Sequence, residues 1–215
     1  ALNLNYIQEK DDCFLIGAMT TLRQLELCQP LNQVFDGAFA EAVGHIVGVQ
    51  FRNCATVGGS VYGRFGFSDV LTLLLALDTE VHLYKEGWIS IERFAARSNE
   101  ADILTEIRIR KNRQVAYLTE RLNANDFPAC AVAVSKGTDG WRCTIGARPC
   151  RAKLVRLPED TEGCDDFAIR KIARKAAAAV SYGGGMRGGP AYRQAVAEVL
   201  IRRGIQALGA KGGQA

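Results

Sequence analysis

The sequence predicts an α+β protein built from two compact parts. Stretches in which apolar and polar residues alternate, joined by turns that contain glycine, are typical of β-hairpins. Apolar residues spaced by three and four positions in other segments are typical of amphipathic helices. The 215 residues, 48% of them hydrophobic and 23% charged, suffice for a buried core and exclude a disordered or collagen-like chain.

Strands are predicted where alternation and turn residues coincide. In the first half of the chain the predicted strands are 2–6, 14–16, 79–84, 88–91 and 103–109. In the second half they are 114–122, 129–135, 141–147 and 152–157. The short basic run Arg110–Arg113 separates the two sets, so we predict a boundary there between domains 1–112 and 113–215.

Helices are predicted from capping residues and from apolar stripes. Thr21 and Gln24 have the spacing of a capping box, and the helix that they begin should end near Pro30. Ser68 precedes a leucine-rich run and is expected to cap a helix buried on most sides. Three more predicted helices are 37–46, 167–180 and 191–208, the last one entered at Pro190.

Charge and cysteine content argue against several classes of protein. The net charge of +4 comes from 27 basic and 23 acidic residues that are scattered along the chain, so nucleic-acid binding is not expected. Seven cysteines without a C-x-x-C pair, and only two histidines, favour reduced thiols in the cytoplasm over a disulfide framework or a metal site. No apolar run approaches the roughly 20 residues that cross a bilayer, so no membrane contact is expected. Redox chemistry would need a bound organic cofactor or a partner subunit.

The most unusual stretch lies between His45 and Val70 and contains the pair Gly58-Gly59. Paired glycines would let the backbone approach a ligand without an intervening Cβ, and their N–H groups could hold phosphate oxygens. The stretch contains neither a Walker loop nor a G-x-G-x-x-G fingerprint. A tight turn would explain the two glycines alone equally well.

Several motifs, taken in order along the chain, resemble one family. Arg52–Ser60 reads R-N-C-A-T-V-G-G-S and is followed by Asp69 at the start of the leucine-rich helix. This string resembles the flavoprotein subunit of molybdenum hydroxylases, the family of xanthine dehydrogenase and carbon monoxide dehydrogenase. Ile16–Leu22 is similar to the family's I-G-A-x-T-T-L element, Asp102–Ile107 to the strand that ends its flavin domain, and Tyr192 with the next residue to its Y-R. The resemblance covers nearly the whole chain.

The resemblance implies a fold and a set of cofactors. The implied fold is a partial FAD-binding domain of the vanillyl-alcohol oxidase type, followed by a small α+β C-terminal domain. The family binds FAD noncovalently and passes electrons between FAD, iron-sulfur centres on a second subunit and a molybdopterin centre on a third, with NAD or another acceptor. This implies a xanthine dehydrogenase-like oxidoreductase subunit in a homo- or hetero-oligomer, whose flavin does the chemistry without a catalytic side chain. The implied FAD positions are Thr56, Gly58, Gly59 and Ser60 around the pyrophosphate and ribitol, Asp69 in the FAD site, and Ile46, Val47 and Leu104 against the flavin ring.

Three departures from the family pattern affect this expectation. The family has an N-terminal subdomain whose A-G-G-T-type loop holds much of the pyrophosphate, and this sequence starts after it. We therefore expect these 215 residues to bind FAD weakly or not at all. Ser60 replaces the usual Asn, and the family's lysine is missing from Tyr117–Arg121, so a cation near the flavin is expected to be lost.

These departures leave other functions open. One is a non-enzymatic scaffold or assembly subunit that has kept the fold and lost FAD. Another is a different flavoenzyme that shares only the fold, such as an enolpyruvyl reductase, but the match through the second domain disfavours it.

Four features of the sequence also have a structural explanation. Asp69 would favour the helix dipole even without a ligand, and His45 is expected to be a structural histidine. Cys54 is expected to be a buried, inert thiol in a strand-like setting. The run Gly183–Gly189 is expected to be a flexible connection, in which Arg187 could touch a ligand or a subunit.

Overall fold

Two antiparallel sheets and two groups of helices form the protein, so the predicted α+β class is confirmed. The structure is a computed structural model that describes residues 2–98 and 101–212. Within these residues, no helix combines the length and the apolar character needed to cross a membrane.

The first sheet has five strands in the order β1-β2-β5-β3-β4, and the second has four in the order β6-β7-β8-β9. The strands are β1 (Ile7–Glu9), β2 (Cys13–Gly17), β3 (Thr79–Leu83), β4 (Gly87–Ser90), β5 (Leu104–Arg110), β6 (Arg113–Glu120), β7 (Cys130–Gly137), β8 (Gly140–Gly146) and β9 (Lys153–Arg156). The predicted hairpins at β3–β4 and β7–β8 are confirmed. The opening strand lies later in the sequence than predicted, at Ile7–Glu9 and not at 2–6.

The helices are α1 (Leu22–Leu27), α2 (Gln29–Val34), α3 (Ala38–Gly44), α4 (Val49–Cys54), α5 (Val57–Tyr62), α6 (Asp69–Ala76), α7 (Ile91–Ala96), α8 (Asp166–Ala178) and α9 (Pro190–Gly212). The predicted capping box is confirmed at α1, since the Gln24 N–H lies 3.2 Å from Thr21 Oγ1 and the Thr21 N–H 2.8 Å from Gln24 Oε1. Ser68 caps α6 through the N–H of Leu71, at 3.2 Å from Ser68 Oγ.

Four helices of six residues each, α2, α4, α5 and α7, are absent from the sequence prediction. Pro30 is the second residue of α2, a position where its missing N–H leaves no helical hydrogen bond unmade. The last residue of α4 is Cys54, and it is exposed, so the expectation of a buried, strand-like thiol is wrong. Six residues complete fewer than two turns, which is too short for an apolar period to be recognised.

A layer of helices lies between the two sheets and shares one core with both. All eight residues of α6 are buried, and this core joins β2, β3 and β5 to α1, α3 and α6. It also includes Val115, Tyr117, Ala131 and Ala133 from one face of the second sheet, and Ala147 directly after β8. The other face of that sheet packs on α8 and α9 in a second core. The helical layer, from the first half of the chain, and the second sheet, from the second half, can therefore both contribute residues to one site.

An ion cluster joins the two sheets where the first ends and the second begins. Asp78 Oδ2 accepts hydrogen bonds from Arg113 Nε at 3.0 Å and Asn112 Nδ2 at 2.8 Å, and Arg142 Nη2 lies 2.8 Å from Asp78 Oδ1. Burial raises the pKa of Asp78, but the guanidinium groups of Arg142 and Arg113 outweigh it, so this pKa lies below its ordinary value. Since the core and this cluster span both halves, the division into domains 1–112 and 113–215 stays a prediction.

Candidate functional site

A cavity of about 490 Å³ lies between the helical layer and the loop after β6. This volume is within the range of sites for small molecules and cofactors. The cavity is lined by Leu22, His45, Ile46, Val47, Phe51, Ala55, Thr56, Gly59, Ser60, Phe65, Phe67, Ser68, Asp69, Val70, Arg121, Asn125, Asp126 and Phe127. It therefore gathers six of the eight residues that the sequence assigns to FAD, and leaves out Gly58 and Leu104.

Thr56 and Ser60 line the cavity from the start of α5. Thr56 is the N-cap, and Ser60 Oγ donates to Thr56 O at 3.0 Å. The backbone N–H groups of this segment are already hydrogen-bonded: Val57 to Thr20 O, Gly58 to Ala18 O, Gly59 to Thr56 Oγ1 and Ser60 to Thr56 O, at 2.9 to 3.1 Å. The segment is a helical turn and not an open loop of N–H donors, which corrects the expectation that these groups are free to hold phosphate oxygens.

The two adjacent glycines have different roles. Both are helical, and neither has a positive φ. A Cβ at Gly58 would lie 2.6 Å from Ala18 O, so Gly58 is required by close packing against the backbone. A Cβ at Gly59 would meet only Thr56 Oγ1, at 3.3 Å. Gly59 is the glycine that faces the cavity.

Asp69 is the most buried acidic group of the site, with 4% of its surface exposed. It lies in the first turn of α6, and its Oδ1 accepts hydrogen bonds from Tyr117 Oη at 2.6 Å and Arg121 Nη2 at 2.7 Å. Burial raises the pKa of Asp69, and the guanidinium of Arg121 and the hydroxyl of Tyr117 oppose this rise. Burial and the nearby Asp69 raise the pKa of Tyr117 well above its ordinary value, so Tyr117 stays protonated and donates. Asp69 therefore lies both in the first turn of a helix and in the cavity wall, so its structural and its ligand-site explanations are compatible.

Arg121 supplies a cation that the sequence had not indicated. Its side chain is 7% exposed, lines the cavity and donates from Nη1 to Asp126 O at 2.6 Å. Arg121 thus brings a positive charge to the cavity from the same segment, while the family's lysine is absent and the expected loss of its cation near the flavin stays a prediction. Because 52 positions separate Arg121 from Asp69, no local motif could reveal the pair.

Three aromatic side chains, those of Phe65, Phe67 and Phe127, form one wall of the cavity. The rings of Phe65 and Phe67 are stacked at 5.3 Å with 5° between their planes, and the Phe127 ring lies 4.4 Å from that of Phe67. Arg187 from the glycine-rich run binds both oxygens of Asp126, at 2.6 and 2.9 Å, and covers Phe127. Arg187 therefore contacts the protein's own loop, and the wall offers aromatic surface to a planar ligand.

His45 and Leu104 occupy structural positions. His45 lines the cavity, but its Nδ1 lies 3.0 Å from Ala124 O and its Nε2 3.5 Å from Glu41 Oε1, which fits a structural histidine. Leu104 is 6% exposed and belongs to the first core, apart from the cavity. Within the described part of the chain, no group of three His, Cys, Asp or Glu side chains is placed to hold a metal ion.

Two solved structures with the same fold are oxidoreductases. Quinoline 2-oxidoreductase from Pseudomonas putida 86 superimposes with a TM-score of 0.86 at 18% identity, covering 99% of this chain and 80% of that one. Carbon monoxide dehydrogenase from Hydrogenophaga pseudoflava superimposes with a TM-score of 0.83 at 23% identity, covering 95% and 77%. At these identities the likeness establishes the fold.

Sequence relatives place the chain in a family. The uncharacterized protein YgfM of Escherichia coli K12 is 28% identical over 205 residues, which are 93% of this chain and 74% of that protein. Aldehyde oxidase 2 of Cavia porcellus is 32% identical over 92 residues, 39% of this chain and 7% of that protein. Residues 2–110, half of the chain, match the family described as the FAD binding domain in molybdopterin dehydrogenase. The chain therefore belongs to the family of FAD-binding domains of molybdopterin dehydrogenases, which confirms the resemblance found in its sequence.

Proposed function

We propose that this chain is the FAD-binding part of a flavoprotein subunit in a molybdenum-containing hydroxylase. In this proposal the flavin relays electrons between the iron-sulfur and molybdopterin centres of partner subunits and an acceptor such as NAD. The observation that carries the proposal is the cavity, where six residues assigned to FAD by family resemblance meet although they are spread over three segments.

The chemistry of the lining fits FAD. Its aliphatic and aromatic walls, with Val47 and Phe67 among them, suit a flat ring that is apolar on both faces. The paired Asp69 and Arg121 provide charged hydrogen-bonding groups at one place in an otherwise apolar cavity, which fixes the orientation of a ring with one polar edge. The Thr56 hydroxyl accepts from Gly59 N–H and retains its own hydrogen as a donor.

When bound, FAD supplies the redox chemistry, and the chain's own residues bind and orient it. Ile46 and Val47 exclude water from the ring, and the buried pair of Asp69 and Arg121 sets the electrostatic environment of the cavity. The aromatic wall and the loop that Arg187 holds through Asp126 close the other side. None of these residues is assigned a catalytic proton transfer.

The partners, acceptor and location in the cell are the finer part of the proposal. Family membership and fold support an iron-sulfur subunit and a molybdopterin subunit, and one of the similar solved structures is a Cu,Mo-containing carbon monoxide dehydrogenase. The xanthine dehydrogenase-like type and NAD rest on the sequence resemblance, and the cytoplasmic location rests on the cysteine content. The substrate would bind at the molybdenum centre of another chain.

One observation favours the second candidate, a scaffold or assembly subunit without FAD. The N–H groups of Val57–Ser60 are all bonded within the chain and Asp69 Oδ1 already accepts two hydrogen bonds, so much of the hydrogen-bonding capacity of this region is used without a cofactor. An FAD-binding subunit would bind FAD in the cavity, whereas a scaffold would need only its folded chain and no cofactor.

The test is FAD binding by the full-length protein with a matched pair of variants. Val47 and Val49 are similarly exposed, at 45% and 43%, but only Val47 lines the cavity. Aspartate tolerates the positive φ of Val47 better than valine does, and at Val49 it would lie in the first turn of α4, where a carboxylate is favourable. We expect the native protein to show the visible spectrum of bound flavin, Val47→Asp to weaken FAD binding by at least about tenfold, and Val49→Asp to bind normally. A native protein that neither contains nor takes up FAD would favour the scaffold.

A further inference from the structure

The segment between α3 and α4 is strained and forms part of the cavity wall. Val47 has a φ of 51°, in the left-handed region that β-branched residues rarely adopt. Such a conformation persists only where the surroundings impose it. Two carbonyl groups of the segment are held by one side chain, since Arg52 Nη1 lies 3.2 Å from Ile46 O and 3.4 Å from Val47 O.

Glu26 of α1 holds the same guanidinium on its other edge. Arg52 Nε lies 2.8 Å from Glu26 Oε2, and Arg52 Nη2 lies 3.3 Å from Glu26 Oε1. The Arg52 and Glu26 side chains are only 7% and 16% exposed. Burial raises the pKa of Glu26, but hydrogen bonds from Arg52 and Arg23 outweigh it, so this pKa lies below its ordinary value. The carboxylate is therefore charged and fixes the guanidinium in one orientation.

Only an arginine can make these contacts together. Its planar guanidinium has five donors in a fixed arrangement, whereas a lysine ammonium is a single point that cannot span a carboxylate and two carbonyls. Neither Arg52 nor Glu26 lines the cavity, so neither is placed to touch a ligand in it. The contacts of Arg52 connect the pair to the cavity wall through the backbone carbonyls of Ile46 and Val47.

We propose that Arg52 and Glu26 are positioning residues of the flavin site, which fix the strained Ile46-Val47 backbone so that its side chains form the cavity wall. This inference rests on the proposed function, because it assigns the wall to FAD. It makes α1 part of the site although only Leu22 of that helix reaches the cavity.

The first test measures the effect on the Ile46-Val47 segment separately from the effect on FAD binding. In full-length protein freed of FAD, Arg52→Lys should speed amide hydrogen exchange in residues 44–48 by about tenfold, because the segment loses its restraint. The same variant should raise the dissociation constant of FAD by about tenfold. Arg23→Lys is the matched control, since Arg23 binds the same carboxylate, at 2.9 Å, but is not bonded to either carbonyl. It should leave both quantities unchanged.

A second test distinguishes positioning from general support of the fold. Glycine adopts a positive φ without strain, so Val47→Gly removes the strain that the Arg52 contacts oppose. We expect Arg52→Lys to lower the melting temperature of the FAD-free protein more in the Val47→Gly background than in the native one, because in the native chain the loss of the contacts is partly offset when the strain at Val47 is released. A purely structural ion pair would give additive effects.

The outcomes are distinct. Should Arg52→Lys fail to fold, Glu26→Gln replaces it, with the same expected directions. Any of three results for Arg52→Lys would overturn the positioning role. These are amide exchange in residues 44–48 as slow as in the native protein, additive effects of the two substitutions on the melting temperature, or faster exchange with an unchanged FAD affinity. A native protein that binds no FAD would contradict the proposed function instead, while exchange and the double-mutant cycle would still report whether the pair restrains the segment.

Discussion

Replacing Gly58 by alanine should destabilise the protein, whereas the same change at the neighbouring Gly59 should not. A Cβ at Gly58 would lie 2.6 Å from Ala18 O, 2.8 Å from Ala18 Cβ and 3.1 Å from Ala18 Cα. The Gly58 N–H is bonded to that same carbonyl at 2.9 Å, so the two backbones cannot separate without breaking a hydrogen bond. At Gly59 the nearest atom is Thr56 Oγ1 at 3.3 Å.

Two opposing contributions to the free energy of unfolding decide each outcome. Helix propensity favours alanine over glycine by up to about 1 kcal/mol at both positions. At Gly58 this gain is opposed by overpacking of about 1–3 kcal/mol and a weakened hydrogen bond worth about 1 kcal/mol. The net loss of unfolding free energy is therefore about 1–3 kcal/mol for Gly58→Ala, against a change within about 0.5 kcal/mol for Gly59→Ala.

Urea and thermal unfolding of the FAD-free, full-length protein measure this difference. In a chain of this size about 1 kcal/mol corresponds to a shift of about 2–4 °C in melting temperature. FAD titration of the same variants should show that Gly59→Ala weakens binding without loss of stability, since Gly59 faces the cavity. Equal stability of the two variants, or a stabilised Gly58→Ala, would refute the assignment of Gly58 to packing.

Three further predictions follow from the buried groups. Asp69→Asn should cost about 3–5 kcal/mol in urea unfolding because it leaves its buried guanidinium partner uncompensated, whereas a nearly silent change would show that the Asp69 charge is not needed at the start of α6. Because the pKa of Asp78 lies below its ordinary 3.8, its contribution to stability is present above that pH and is lost as the pH falls toward the lowered value. Melting temperatures measured in acid should therefore fall less steeply for Asp78→Asn, and identical slopes would contradict the ion cluster. Burial raises the pKa of Cys130 and of Cys143 to about 12, so iodoacetamide should label the exposed Cys54 first in native protein, and earlier labelling of either buried thiol would contradict their placement.

Features that depend on neighbours in the sequence could be predicted, and those that depend on distant residues could not. The caps at Thr21 and Ser68 and the hairpin turns involve residues a few positions apart, so their spacing is visible in the sequence. The central position of β5, between β2 and β3, depends on pairing across many residues, for which a single sequence carries no signal.

The candidate site shows the same division. The resemblance identified Thr56, Gly59 and Ser60 from a contiguous string, and the structure brings them to one cavity. It could not separate Gly58 from Gly59, because two adjacent glycines look alike until their neighbours in space are known. The resemblance also assigned Leu104 to the ring wall, but Leu104 lies in the first core, where an apolar side chain is equally at home. Arg121 was missed because its partner is distant in the sequence.

The central claim is that FAD occupies the cavity between the helical layer and the loop after β6. Amide hydrogen exchange of the full-length protein, measured with and without saturating FAD, tests this location directly. The account predicts slower exchange in residues 45–48, in 56–60 and in 121–127. Each of these three segments contributes residues to the lining. The account would be contradicted if FAD did not slow exchange in these segments. It would also be contradicted if FAD slowed exchange only around another cavity, which is lined by Leu157 and Ile172.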